Sequence, residues 1–195
     1  MDEPVTVTLP LWQLDTIYPG LDSPGYRADR TELDDTLARF ERFLEDNGVG
    51  VTEPEAGTGA KEPPGGWTTP ATGEDRQAGD FRAATLLAQA LETYLRLMEL
   101  QALLSVYLSL RVATDSFDAA AQSELSALRA LGARTGAASA RFKGWLKGVD
   151  LNAAGERHEI VAAHLYPLER YRQEAERMLG YGAEALAAAL DASGG

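Results

Sequence analysis

Two histidines, His158 and His164, stand in the stretch "RHEIVAAHLYP", and Glu159 directly follows the first. Such a set is the material of a zinc site. Zinc peptidases carry H-E-x-x-H on a helix, because a four-residue step returns both imidazoles to one face and places the glutamate beside them as general base. Here the step is six residues. On a regular helix it turns the second ring about 120° away from the first and carries it about 9 Å along the axis. The helical neighbours of His158 are Ala154, Gly155, Val161 and Ala162, and those of His164 are Ile160, Val161, Pro167 and Leu168; none is a ligand. Only a helix break, for which Pro167 makes room near Tyr166, would bring the rings together. An autonomous metal enzyme built on His158 and His164 is the weakest reading, and core-edge or solvated histidines satisfied by backbone or water are expected instead.

Other chemistries lack their residues. There is no cysteine, so disulfides, thiolate nucleophiles and cysteine-bound metals are excluded. The glycines of 57–66 have no P-loop lysine with a following Ser or Thr, and no G-x-S-x-G elbow occurs. Asp34 with Asp35 and Glu174 with Glu176 are carboxylate pairs, but adjacent or i+2 positions point apart on a helix. A di-metal bundle needs Glu-x-x-His, which the chain does not contain. No catalytic, cofactor-binding or metal-binding residue is therefore assigned.

Composition narrows the partners. Eighteen basic against thirty acidic residues leave a net charge of −12 and a pI near 4.6. A phosphate backbone needs a concentrated basic stripe, and none is visible, so nucleic acid is not expected as a partner. An anionic membrane surface is disfavoured for the same reason. The start, "MDEPVTVTLP", lacks the positive end and apolar run of a secretory signal. The most apolar stretch, Leu97 to Ala113, is broken by Glu99, Gln101 and Arg111 and is too short to span a bilayer. It reads as a deeply buried helix, and the chain as cytoplasmic.

The elements follow from periodicity. The start through Tyr26 reads as an extended arm. Ser23 then offers an N-cap with Pro24 at the first helical position, where its missing N–H costs nothing. Leu33, Leu37, Phe40 and Leu44 recur at three- and four-residue steps until Gly48, predicting an amphipathic helix that ends near Asn47. Residues 49–79, dense in Gly, Pro, Thr and Glu, read as a flexible insertion that Trp67 pins to the bundle. From Asp80 a second helix carries Phe81, Ala84, Leu87, Leu91, Leu95 and Met98 on one face, with Leu100, Leu103, Leu104, Tyr107 and Leu108 on others. Its latter part must be covered on more than one side. Asp115 or Ser116 caps a third helix running from Phe117 to Val149. A fourth begins near Glu156, is disturbed at Pro167 and resumes through "LERYRQEAERML", and "AEALAAAL" makes a short final one. The fold predicted is a single all-α domain over 1–195, a bundle of long antiparallel helices.

One family is suggested by the residues themselves. "LWQLDTIYPGLDSPGYRADRTELDDTLARF" resembles the opening of the oligoendopeptidase F family of zinc metallopeptidases: Trp12, Leu14, Ile17, Tyr18, Pro19, Leu21, Asp22 and Ser23 stand where that family has a Trp-x-Leu, an Ile/Leu-Tyr-Pro and an Asp-Ser step into a long helix. Gln13 departs from a common Asp. The run from Leu91 to Asp150 is similar to the family's second and third helices, and Leu168 to Gly195 to the short helix leading towards its catalytic domain. The tract at 49–79 looks like an insertion. The resemblance implies an N-terminal, non-catalytic helical domain forming the wall of a channel in which short peptides are hydrolysed, with zinc, H-E-x-x-H and the catalytic domain lying outside this chain. "HEIVAAH" is then a coincidence of letters. Wall residues would be apolar yet exposed, above all around Leu97 to Leu110. A free-standing helical interaction module without enzymatic activity is the alternative.

Overall fold

The computed structural model describes residues 14–49 and 73–177, with the side chains of 73–78 excepted. Within them the chain is all-α. Three long helices, α1 (Pro24–Asp46), α2 (Gly73–Thr114) and α3 (Ala119–Trp145), are followed by short α4 (Leu151–Arg157) and α5 (Glu159–Ala163) and by a last helix, α6, over 165–177. Single 3-10 turns, Leu14–Thr16 and Leu146–Gly148, precede α1 and follow α3. No strand occurs among the described residues.

α1 forms as its sequence dictates. The Ser23 side chain accepts from the Tyr26 N–H, and Pro24 occupies the first turn. Leu33, Leu37, Phe40 and Leu44 are fully buried. The helix ends in a Schellman motif: the Gly48 N–H bonds the Glu45 carbonyl and the Val49 N–H the Leu44 carbonyl. Gly48 has φ +63°, the left-handed conformation a side chain resists. Val49 is buried in the core beside Leu44, so the first residue of the expected insertion belongs to the packed domain.

Aromatic contacts give the helix directions. Tyr26, in the first turn of α1, lies against Tyr107 near the end of α2, whereas Phe40 lies against Tyr94 near the middle of α2; α1 and α2 are antiparallel. Tyr26 also reaches Glu124 near the start of α3, and Phe40 reaches Phe142 near its end; α1 and α3 are parallel. α2 packs against both of them and against α4 and α5. It is the central helix, and Phe40, Tyr94 and Phe142 form an aromatic core at one end of the bundle.

Several boundaries depart from expectation. α2 begins at Gly73 rather than Asp80, because a helix already fixed by its apolar face extends through weak formers at low cost per residue. The rest of the tract, with Trp67, lies outside the described residues, as do residues 1–13 of the arm and "AEALAAAL". The described end of the arm is a 3-10 turn, not an extended segment, and it brings Tyr18 into the core. The cap of α3 is Asp118, whose carboxylate accepts from the Ala121 N–H. Asp115 instead closes a local turn onto the Phe117 N–H, and Phe117 stands outside the helix, 93% exposed. After α3, Asp150 caps α4 by accepting from the Ala153 N–H, so helix resumes at Leu151 rather than Glu156. The expected break near Tyr166 falls at the histidines: α4 stops at His158 and α5 at His164. Pro167 is tolerated in the first turn of α6, where no intrahelical N–H is needed.

Candidate functional site

α2 buries one side and bares another. Leu97, Leu100, Leu104, Tyr107 and Leu108 are all within 1% of complete burial. Leu103, Val106, Leu110 and Ala113 follow one another at steps of three, four and three, which aligns them on the opposite side. Leu103 is 38% and Val106 55% exposed; Ala113 is exposed and Leu110 half-buried. In the first half of α2 the apolar residues Ala88 and Leu91 are covered. Phe81, on the same side near the start of α2, is 60% exposed as well, so this side of the helix is uncovered towards both ends. The stretch Leu97 to Ala113 is thus not deeply buried all round, as its composition suggested.

The end of α2 that carries this strip is held firmly. Tyr107 makes edge-to-face contact with Tyr18 at 4.9 Å between ring centroids, and Tyr18 does the same with Tyr26 at 5.5 Å, geometries that the aromatic quadrupole favours. The Tyr18 hydroxyl donates to Asp29 and the Tyr26 hydroxyl to Glu124. Burial, reinforced by these carboxylates, pushes both phenols well above their ordinary pKa. Arg111 donates to the Tyr107 oxygen and to Asp118, and so ties the last turn of α2 to the cap of α3. The Ala121 backbone N–H, and then Arg111, hold the Asp118 carboxyl below the usual range. At the other edge of the strip Arg96 pairs bidentately with Glu32 of α1 and also bonds Glu99.

Between α2 and α3 lies a groove of about 430 Å³, lined by Tyr94, Met98, Gln101, Ser105, Gly136 and Ser139 among others. The Gln101 amide oxygen is enclosed there without a hydrogen-bond partner. A side chain added at Gly136 would meet nothing within 4 Å, so the groove is open on the α3 side.

The histidines take a different place from a metal site. Each ends a short helix, and the His164 Nδ1 lies 2.8 Å from the Ile160 carbonyl oxygen. The His158 Nε2 is buried without a partner. Among the described residues no three His, Cys, Asp or Glu side chains are gathered in a group that could hold a metal ion.

By length and composition alone, residues 79–114 of α2 would also suffice to cross a membrane, and 28% of the apolar window is buried within the domain. The expectation of too short an apolar run concerned Leu97 to Ala113 alone, and the helix that contains this run extends from Gly73 to Thr114. The sequence signal for the bare strip was a second apolar face on α2, present in Leu103 and Val106. What it did not reveal was which of the faces the short helices would cover.

No family model, no curated protein and no solved structure matches this chain.

Proposed function

We propose that this chain is the N-terminal, non-catalytic helical domain of an oligoendopeptidase F-like zinc metallopeptidase, and that the bare side of α2 contributes to the wall of its substrate channel. The motifs around Trp12, Tyr18, Pro19 and Ser23 support the family. The observation that carries the role is the alignment of exposed Leu103 and Val106 on one side of the central helix, since contiguous exposed apolar surface marks interaction sites. On this reading zinc and the residues that hydrolyse short peptides reside in a catalytic domain, in the same polypeptide or a separate one, and the assembly works in the cytoplasm. α2 then serves as the central helix of the bundle, not as a membrane span.

The test is the intact mass and metal content of the native product recovered from its source cells. A mass far above 21.0 kDa, or a 21.0 kDa chain bound to a zinc-containing peptidase, is expected. A lone chain of that mass with no zinc protein attached would overturn the proposal in favour of the interaction module. In the assembled enzyme, Val106→Asp should lower peptide hydrolysis or assembly several-fold while leaving helicity and melting nearly unchanged, because exposed substitutions shift stability by only about 0.5 kcal/mol. Unchanged hydrolysis and assembly would remove the strip from the channel wall.

A further inference from the structure

We infer that Asn47–Gly48 is a site of spontaneous covalent modification, held shut by the end of α1 and opened when that end unfolds. The chain has two asparagines. Asn47 precedes glycine, whose backbone nitrogen carries no neighbouring Cβ to hinder its attack; Asn152 precedes Ala153. In the reaction the Gly48 amide nitrogen gives up its proton to hydroxide and attacks Cγ of Asn47. A C–N bond forms, the bond to Nδ2 breaks, and the departing nitrogen takes a proton from water to leave as ammonia, which restores the hydroxide. Water then opens the five-membered imide at either carbonyl, giving aspartate or isoaspartate.

The folded cap keeps both reacting groups apart. Asn47 Nδ2 donates to the Phe43 carbonyl at 2.8 Å, which draws the side chain back along the helix and away from Gly48. The Gly48 N–H donates to the Glu45 carbonyl at 3.0 Å, so the nucleophile is occupied as well. The following bond, Val49 N–H to the Leu44 carbonyl at 2.8 Å, and the burial of Val49 beside Leu44 fasten the turn. Attack therefore requires the cap to open.

Once the reaction has occurred, the cap cannot close as before. A carboxylate at position 47 has no N–H to give to the Phe43 carbonyl, and it adds negative charge beside Glu45 and Asp46 at a helix C-terminus, where the macrodipole already disfavours it. Isoaspartate also inserts a backbone methylene before Gly48, which puts its two successive cap bonds out of register. The modification acts as a ratchet on the boundary between α1 and the tract that follows.

The experiment incubates the intact chain in mildly alkaline buffer, folded and in urea, and follows amide loss and isoaspartate at Asn47 and Asn152 by peptide mapping. Conversion at Asn47 should be roughly tenfold or more slower in the folded chain than in urea, the ratio reporting the local opening equilibrium. Conversion at Asn152 should trail Asn47 in urea. Val49→Ala, which loosens the cap, should raise the folded-state rate at Asn47; circular dichroism shows whether this variant remains helical. Should it not fold, hydrogen exchange of the Gly48 and Val49 amides in the parent chain replaces it, with opening expected at the rate that the modification data require. Equal rates at Asn47 in folded and unfolded chains, or a folded-state rate untouched by Val49→Ala in a helical variant, would overturn the inference.

Discussion

At the scale of single residues, charge is placed where backbone geometry can use it. Asp118 satisfies a helix N-terminus with its Oδ1 and an arginine of the preceding helix with its Oδ2. Glu32 and Glu174 are likewise held below the usual carboxylate range, the first by hydrogen bonding to Arg96 and the second by hydrogen bonding to Lys143. A carboxyl whose folded pKa is depressed binds protons more readily when unfolded, so its contribution is present above the unfolded value and disappears as pH falls through the folded one. Stability should hold near neutrality and decline as the solution is acidified below pH about 4. Urea unfolding across that range would check it, and Asp118→Asn should flatten part of the decline. The tyrosines work in the other direction. Tyr94 is pushed up to about 12 by burial, so stability should fall as alkali rises beyond the ordinary phenol range near 10, accompanied by phenolate absorbance.

At the scale of elements, caps decide where the helices stop, and the sequence announced some of them. Ser23 with Pro24 and Asn47 with Gly48 are local signals, because each is satisfied within a few residues of itself. Gly48→Ala places a Cβ in the left-handed region with no atom of the fold within 4 Å; strain alone should destabilise α1 by about 1 kcal/mol, measurable as a lowered thermal midpoint. The start of α3 was less legible. Asp115, Ser116 and Asp118 are all good caps, and Arg111, reaching across the turn, pairs with the last of them. The breaks at His158 and His164 were misplaced for a related reason. Proline disfavours a long helix on its N-terminal side but does not fix the residue at which the chain turns, and here α6 takes Pro167 into its first turn.

At the scale of the whole molecule, the bundle depends on aromatic packing between helices far apart in sequence. Phe142 of α3 meets Phe40 of α1 and Tyr94 of α2 at ring-centroid distances of 5.9 and 5.0 Å and is fully buried. Phe142→Ala should cost about 3–5 kcal/mol, which chemical denaturation would measure; a loss below about 1 kcal/mol would mean that this end of the bundle can collapse into the space. The cross-helix ion pairs, such as Arg134 with Glu41, lie in water and add at most about 1 kcal/mol each. They orient the helices more than they hold them.

By itself the sequence determined the all-α class and the buried face of α1, because both follow from apolar spacing at the helical period. It also determined the absence of cysteine chemistry and the six-residue histidine spacing, since residue type and count need no fold to be read. The bare side of α2 was decided only in three dimensions. Leu103 and Leu104 are adjacent and chemically identical, yet one is 38% exposed and the other fully buried. Nothing local distinguishes them: what does is where α1, α3 and the short helices come to rest around a single central helix, and how far along it their cover extends.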